Sequence, residues 1–200
     1  MIKVQGAYEK EYFVYTMLKS LFNNADNYKC DYMTDCYFTV KNDLLVFEDM
    51  STDGYVANKF GTLELDLHHL LIGLDALAKF HAGSIIYETR KSKMLGKPYK
   101  LLDEYSEYLQ EPLYRRDDDY LGNKMFKSYI KAVTALIDLV PQFEGRRREI
   151  KEKYLTQVDR VYELVKKSDS FCNVICHGDL WTCNILYKYN EDIPVQCKDH

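Results

Sequence analysis

His177, Asp179 and Asn184 lie within eight residues of one another, in the stretch "CHGDLWTCNILY" from Cys176 to Tyr187. These residue types at this spacing suit one chemistry above others. Phosphoryl transfer needs a carboxylate to orient an attacking hydroxyl and accept its proton. It also needs a nearby amide oxygen to help hold Mg²⁺ against the nucleotide phosphates. Asp179 can supply the first. Asn184 suits the second, because an asparagine is a hard oxygen ligand that adds no charge beside an anion. A loop held between short strands keeps such groups in fixed geometry.

Other chemistries compete for the same residues. A bare His-Gly-Asp is often a turn whose aspartate caps local N–H groups; Trp181, Asn184 and the apolar runs on either side favour a catalytic loop instead. Cys172, Cys176, His177 and Cys183 raise the question of zinc, and the first two fit a C-x₂₋₄-C step. On a strand, however, the rise of about 3.3 Å per residue sets positions 172 and 176 more than roughly 10 Å apart. That is too far to share one tetrahedral ion. A Cys176–His177 nucleophile pair fails because strand neighbours point to opposite faces.

The elements that must position the loop can be read from periodicity. "GAYEKEYFVYTMLKSLF" (6–22) places Tyr8, Tyr12, Val14, Tyr15, Leu18 and Phe22 near helical spacing. "CYFTVKNDLLVFEDM" (36–50) reads as a hairpin around Lys41-Asn42-Asp43, and 51–61 as a loop. A long helix is predicted from Thr62 to Ile86, with Leu63, Leu67, Leu70, Leu74, Leu77 and His81 along one stripe. His81 on that face reads as a core histidine. Helices are expected at 123–140 and 145–167, separated by Pro141 and Gly145. "FCNVIC" (171–176) reads as a short buried strand before the loop, and "NILYKY" with "PVQCK" as a second hairpin.

The D-x-x-x-x-N spacing matches the protein-kinase catalytic loop, in which His-Arg-Asp opens the motif. Here Gly178 replaces the arginine, and "HGDLW" with Asn184 resembles the small-molecule branch of that fold, as in choline and aminoglycoside kinases. The extended form resembles the ecdysteroid kinase-like (CHK kinase-like) family. "EKEYFVY" is similar to the family's helix C, "DLLVFEDM" to the strand entering the hinge, and "LDALAKFHAGS" (74–84) to the long helix under the catalytic loop.

The resemblance implies an α/β (α+β) two-lobed fold that transfers the γ-phosphoryl of ATP, with Mg²⁺, to a hydroxyl of a small organic molecule such as an ecdysteroid or a choline-like alcohol. It implies Asp179 as base, His177 as a brace for the loop, and Asn184 as a metal ligand. Glu48, Asp49 and Met50 would meet adenine through the backbone. Glu11 would pair with the ATP-binding lysine, for which Lys3 is the counterpart. No glycine-rich loop precedes the helix, however, and Lys3 is only eight residues before Glu11. The family continues from a strand like "PVQCK" through two apolar residues into Asp-Phe-Gln, whose Asp binds the metal; here the chain reads Lys198-Asp199-His200, with Asp199 as the counterpart of that ligand after a short deletion or, alternatively, the ligand lost by truncation. The expectation is a partial N-lobe (1–50) and a helical C-lobe (51–200), truncated at both ends and inactive as a fragment. The alternative is a pseudokinase or another non-catalytic binding module.

Composition agrees with an ordinary globular chain. Of 200 residues, 46% are hydrophobic, enough for a sizeable core. A formal charge of -4 gives no basic field for nucleic acid. The one basic patch, "GRRREIKEK" (145–153), reads as a solvated helix start, and "RRDDDY" (115–120) as an exposed loop. Apolar runs fall short of the roughly 20 residues of a membrane span, and the N-terminus has no signal-like segment. Six cysteines without a CxxC pair suit reduced thiols. These features predict a cytoplasmic monomer.

Overall fold

The computed structural model describes residues 7–23, 28–40, 43–59, 61, 64–111 and 113–199. Helix α1 (Ala7–Phe13) runs through a π-helical turn (Val14–Leu18) into α2 (Lys19–Asn23). Strands β1 (Cys36–Val40) and β2 (Leu44–Phe47) pair antiparallel, and a 3₁₀ turn at Met50–Asp53 leads to β3 (Tyr55–Val56). Then come α3 (Leu67–Leu95), α4 (Leu101–Glu104), α5 (Leu121–Leu139), α6 (Arg147–Asp159) and α7 (Val161–Leu164). Strands β4 (Ile185–Asn190) and β5 (Ile193–Asp199) form the final hairpin. The mixed order of helices and small sheets is that of an α+β kinase-like fold.

The chain divides into two compact units. The larger comprises Glu9–Leu109 and Cys172–His200. Its main core gathers Phe13, Leu18, Phe22, Tyr32, Met33, Phe80 and Leu101. Phe13 stacks on Tyr108 with ring centroids 4.9 Å apart. A second cluster of Ile185, Tyr187 and Cys197 lies where the three-stranded sheet β3-β4-β5 packs against α3. Cys197 Sγ reaches the carbonyl of Ile72 at 3.4 Å.

Helix α3 differs from expectation in three ways. It starts at Leu67, because Asp66 caps it by accepting the His69 N–H at 3.0 Å. It continues past Ile86 to Leu95. It also buries a face turned about a quarter of the way round from the leucine stripe. Leu67, Leu70 and Leu74 are exposed, while His69, Gly73, Phe80, Gly83 and Ser84 are buried. Leu63 lies outside the described residues, as do Lys41 and Asn42 of the first hairpin. The reason for the rotation is proximity. A Cβ on Gly83 would stand 2.5 Å from Phe22 Cδ2, and one on Gly73 would stand 3.6 Å from Ile185 Cδ1. Leucines in those positions would hold α2 and the sheet away. By length and composition α3 would also suffice to cross a bilayer, which apolar-run length did not anticipate because Asp75 and Lys79 interrupt the run.

The smaller unit comprises Met1–Tyr8 and Gln110–Phe171. Buried Asn123 organises it. Its Nδ2 donates to the Asp117 carbonyl at 3.0 Å, and its Oδ1 accepts from the Tyr162 hydroxyl at 2.7 Å. The basic start of α6 carries its own acid: Glu149 accepts from Arg146 and Lys153, which hold its carboxyl down at about 2. Arg116 grips Asp159 with two bonds of 3.0 and 2.9 Å.

Candidate active site

The segment before the catalytic loop is not a strand. Residues 171–177 carry no regular secondary structure, and a contact to α3 pins them in place of a ladder. Ser84 Oγ accepts the Ile175 N–H at 3.3 Å while donating to the His81 carbonyl at 2.9 Å. Ile175 packs against the main core. The "HAGS" stretch of α3 thus has a mechanical meaning: Gly83 admits Phe22, and Ser84 anchors the approach to the loop.

Gly178 then turns the chain at φ +85°. Open space surrounds its missing Cβ, so glycine is needed for backbone conformation and not for room. The turn brings the Asp179 N–H within 3.1 Å of His177 Nδ1, which accepts it. His177 is half-buried and helps line a small apolar pocket with Tyr32, Phe80, Leu180, Ile185 and Cys197. A 3₁₀ turn at Thr182–Asn184 follows, with the Asn184 N–H donating to the Trp181 carbonyl at 2.9 Å. Buried Ile185 and Tyr187 then fix the start of β4.

This geometry joins Asn184 to Asp179. Asn184 Nδ2 donates to the Asp179 carbonyl at 2.8 Å and to Asp179 Oδ2 at 3.0 Å. Both amide hydrogens are thereby used, which fixes the amide's orientation, since the flipped form would set oxygen against two oxygens. Asn184 Oδ1 is left to ligate a hard cation. The Asp179 side chain is exposed. Oxygen donors of this kind fit Mg²⁺, which takes one or two protein oxygens alongside substrate phosphates.

The expected hinge leaves β2 at Phe47. The Glu48 N–H donates to the Asp35 carbonyl at 2.8 Å. Asp49 is occupied locally: it accepts from the Ser51 N–H and hydroxyl, and these bonds hold its carboxyl below the ordinary range. Met50 is buried. Glu11 is exposed on α1, and its expected partner Lys3 lies outside the described residues. Asp199 pairs across the hairpin with Ile185, the residue after Asn184. Among the described residues no group of three or more His, Cys, Asp or Glu has metal-holding geometry, and all six cysteines are free thiols.

Three contributors escaped the sequence reading. Lys19, buried on α2, donates to the carbonyls of Met33 and Thr34 at 3.0 Å each and pairs with Asp35. His69 links Asp66 Oδ1, 2.8 Å from its Nδ1, to the Tyr189 hydroxyl, 2.9 Å from its Nε2. Lys198 sits against the hinge. The only sequence signal was a polar residue inside an apolar run, which does not name a partner.

Comparison with known proteins gives one match. Neither curated proteins nor solved structures gave a match. The model of the ecdysteroid kinase-like family (EcKL) matches residues 1–198. With its loop, hairpin and long helix placed as described, the chain belongs to the ecdysteroid kinase-like family.

Proposed function

We propose that the site serves ATP-dependent phosphoryl transfer to a hydroxyl of a small organic molecule, with an ecdysteroid or a choline-like alcohol as the acceptor class. The observation that carries this reading is the pair of hydrogen bonds that Asn184 Nδ2 donates to the carbonyl and the carboxylate of Asp179. It fixes a base and a metal ligand as one unit. In the reaction the acceptor oxygen forms a bond to the γ-phosphorus, the bond to the ADP oxygen breaks, and Asp179 takes the hydroxyl proton. Such a base positioned on the hydroxyl contributes orientation more than proton affinity. His177 keeps the Asp179 backbone in place through its Nδ1. Bound Mg²⁺, held in part by Asn184 Oδ1, would neutralise phosphate charge. The Glu48–Met50 backbone would receive adenine.

The test is Mg-ATP turnover with a panel of small alcohols, comparing the complete protein with its Asp179→Asn variant. The variant should lose roughly 100-fold or more in rate. Its melting should stay within about 0.5 kcal/mol of wild type, since the side chain is exposed. Equal turnover in the two proteins removes Asp179 from the base role. Mg-ATP binding without transfer to any acceptor would make the chain a nucleotide-binding module.

A further inference from the structure

Glu48 is tied twice. Its N–H bonds to Asp35, and its side chain turns toward β5, where Lys198 Nζ stands 3.9 Å from Oε2. Both side chains are largely shielded, at 22% and 17% exposure. Glu48 Oε2 is buried and, among the described residues, accepts no hydrogen bond. The Lys198 charge therefore compensates it. Lys198 Nζ also lies 3.8 Å from Met50 Sδ and 5.4 Å from the centroid of the Tyr55 ring, a geometry that attracts a cation to the ring face. Tyr55 in turn donates its hydroxyl proton to Gln196 Oε1 at 2.9 Å and pairs with Lys188 of β4. One lysine on β5 thus touches Glu48, Met50 and Tyr55, all between β2 and the end of β3.

We propose that Lys198 is a positioning residue that fixes the Glu48–Met50 hinge to the sheet carrying the catalytic loop. Its consequence for nucleotide binding rests on the phosphotransferase reading. The cluster joins the strand that ends beside Ile185 to the segment that would receive adenine, so the two cannot drift apart without exposing a partly desolvated pair. A solvent-exposed pair would hold little. Here the low exposure makes each charge depend on the other, because removing one leaves its partner stranded.

Hydrogen exchange by mass spectrometry on the whole chain tests the brace. In Lys198→Met, amides of 48–56 should exchange roughly fivefold faster or more, with those of 185–190 unchanged. Lys198→Arg should restore protection. Glu48→Gln, which keeps the shape and removes the charge, should loosen the same amides and serves if Lys198→Met folds poorly. Unchanged exchange at 48–56, or equal acceleration throughout α3 and β4, overturns the proposal. Binding of a fluorescent ATP analogue with Mg²⁺ should weaken about fivefold in Lys198→Met; equal affinity overturns the nucleotide-positioning role. A wild-type chain that binds no nucleotide, while Lys198→Met still loosens 48–56, overturns the phosphotransferase reading and upholds the brace.

Discussion

Asn184 Nδ2 stands 2.8 Å from the Asp179 carbonyl oxygen and 3.0 Å from its carboxylate Oδ2, so one amide holds both the backbone and the side chain of the proposed base. The two residues are five apart in sequence, and the 3₁₀ turn at Thr182–Asn184 closes that distance. Under the proposed function the asparagine would have two roles: its nitrogen would orient the base and its oxygen would meet the metal.

Asn184→Ala should therefore raise the magnesium concentration at half-maximal rate by roughly tenfold or more and lower the rate at saturation. Asn184→Asp should be the worse variant at the base, because it sets a second carboxylate beside Asp179. Magnesium titrations of the initial rate measure both. A titration of Asn184→Ala that overlays wild type removes the residue from the metal site.

The glycines of α3 should separate by distance. Gly83→Ala drives a methyl into Phe22, which is fully buried, and should cost about 1–3 kcal/mol by overpacking. Gly73→Ala makes only ordinary contact with Ile185 and gains up to ~1 kcal/mol of helix propensity, so it should be neutral or stabilising. Urea denaturation of the two variants decides the matter.

Lys19→Met should destabilise the larger unit. It keeps the apolar stem but removes the ammonium that donates to the Met33 and Thr34 carbonyls. A loss of about 1–3 kcal/mol is expected for the lost buried hydrogen bonds. A melting curve unchanged from wild type would show that water replaces the ammonium at no cost.

Stability should fall on mild acidification through His81. Burial pulls its imidazole below the ordinary value, so between the folded and unfolded pKa the unfolded chain binds more protons. The contribution is complete above the ordinary histidine pKa of about 6.5 and is lost as pH falls through the lower, folded value. Asp66, held down chiefly by the His69 N–H, adds a loss only in the more acidic carboxylate range. Denaturation midpoints from neutral pH to about pH 5 should slope downward in wild type and flatten in His81→Asn.

Local pattern was enough for the geometry of the 177–184 loop and the order of elements. His177, Gly178, Asp179 and Asn184 are close in sequence, so a tight turn brings them together without help from distant residues. The two hairpins and the helix expected at 123–140 also follow from local alternation and periodicity, whereas the one expected at 145–167 is divided at Arg160 into α6 and α7. The hinge strand ended where its β-rich run ended, at Phe47.

What the chain does with those elements was decided by packing. Sequence periodicity marks the leucine stripe of α3 as its most apolar face, yet Leu67 is 67% exposed and Leu74 56%. The helix instead turns Gly73, Gly83 and Ser84 inward, because close approach to Ile185 and Phe22 needs small residues and the Ile175 amide needs an acceptor. "FCNVIC" likewise reads as a strand but is none: the Ile175 N–H of this segment bonds to a serine of α3. Lys19 and Lys198 look like solvated charges in one dimension. Their partners lie 14 or more residues away, at Met33 and at Glu48, and only the folded chain brings each lysine to the carbonyl or carboxylate oxygen that it meets.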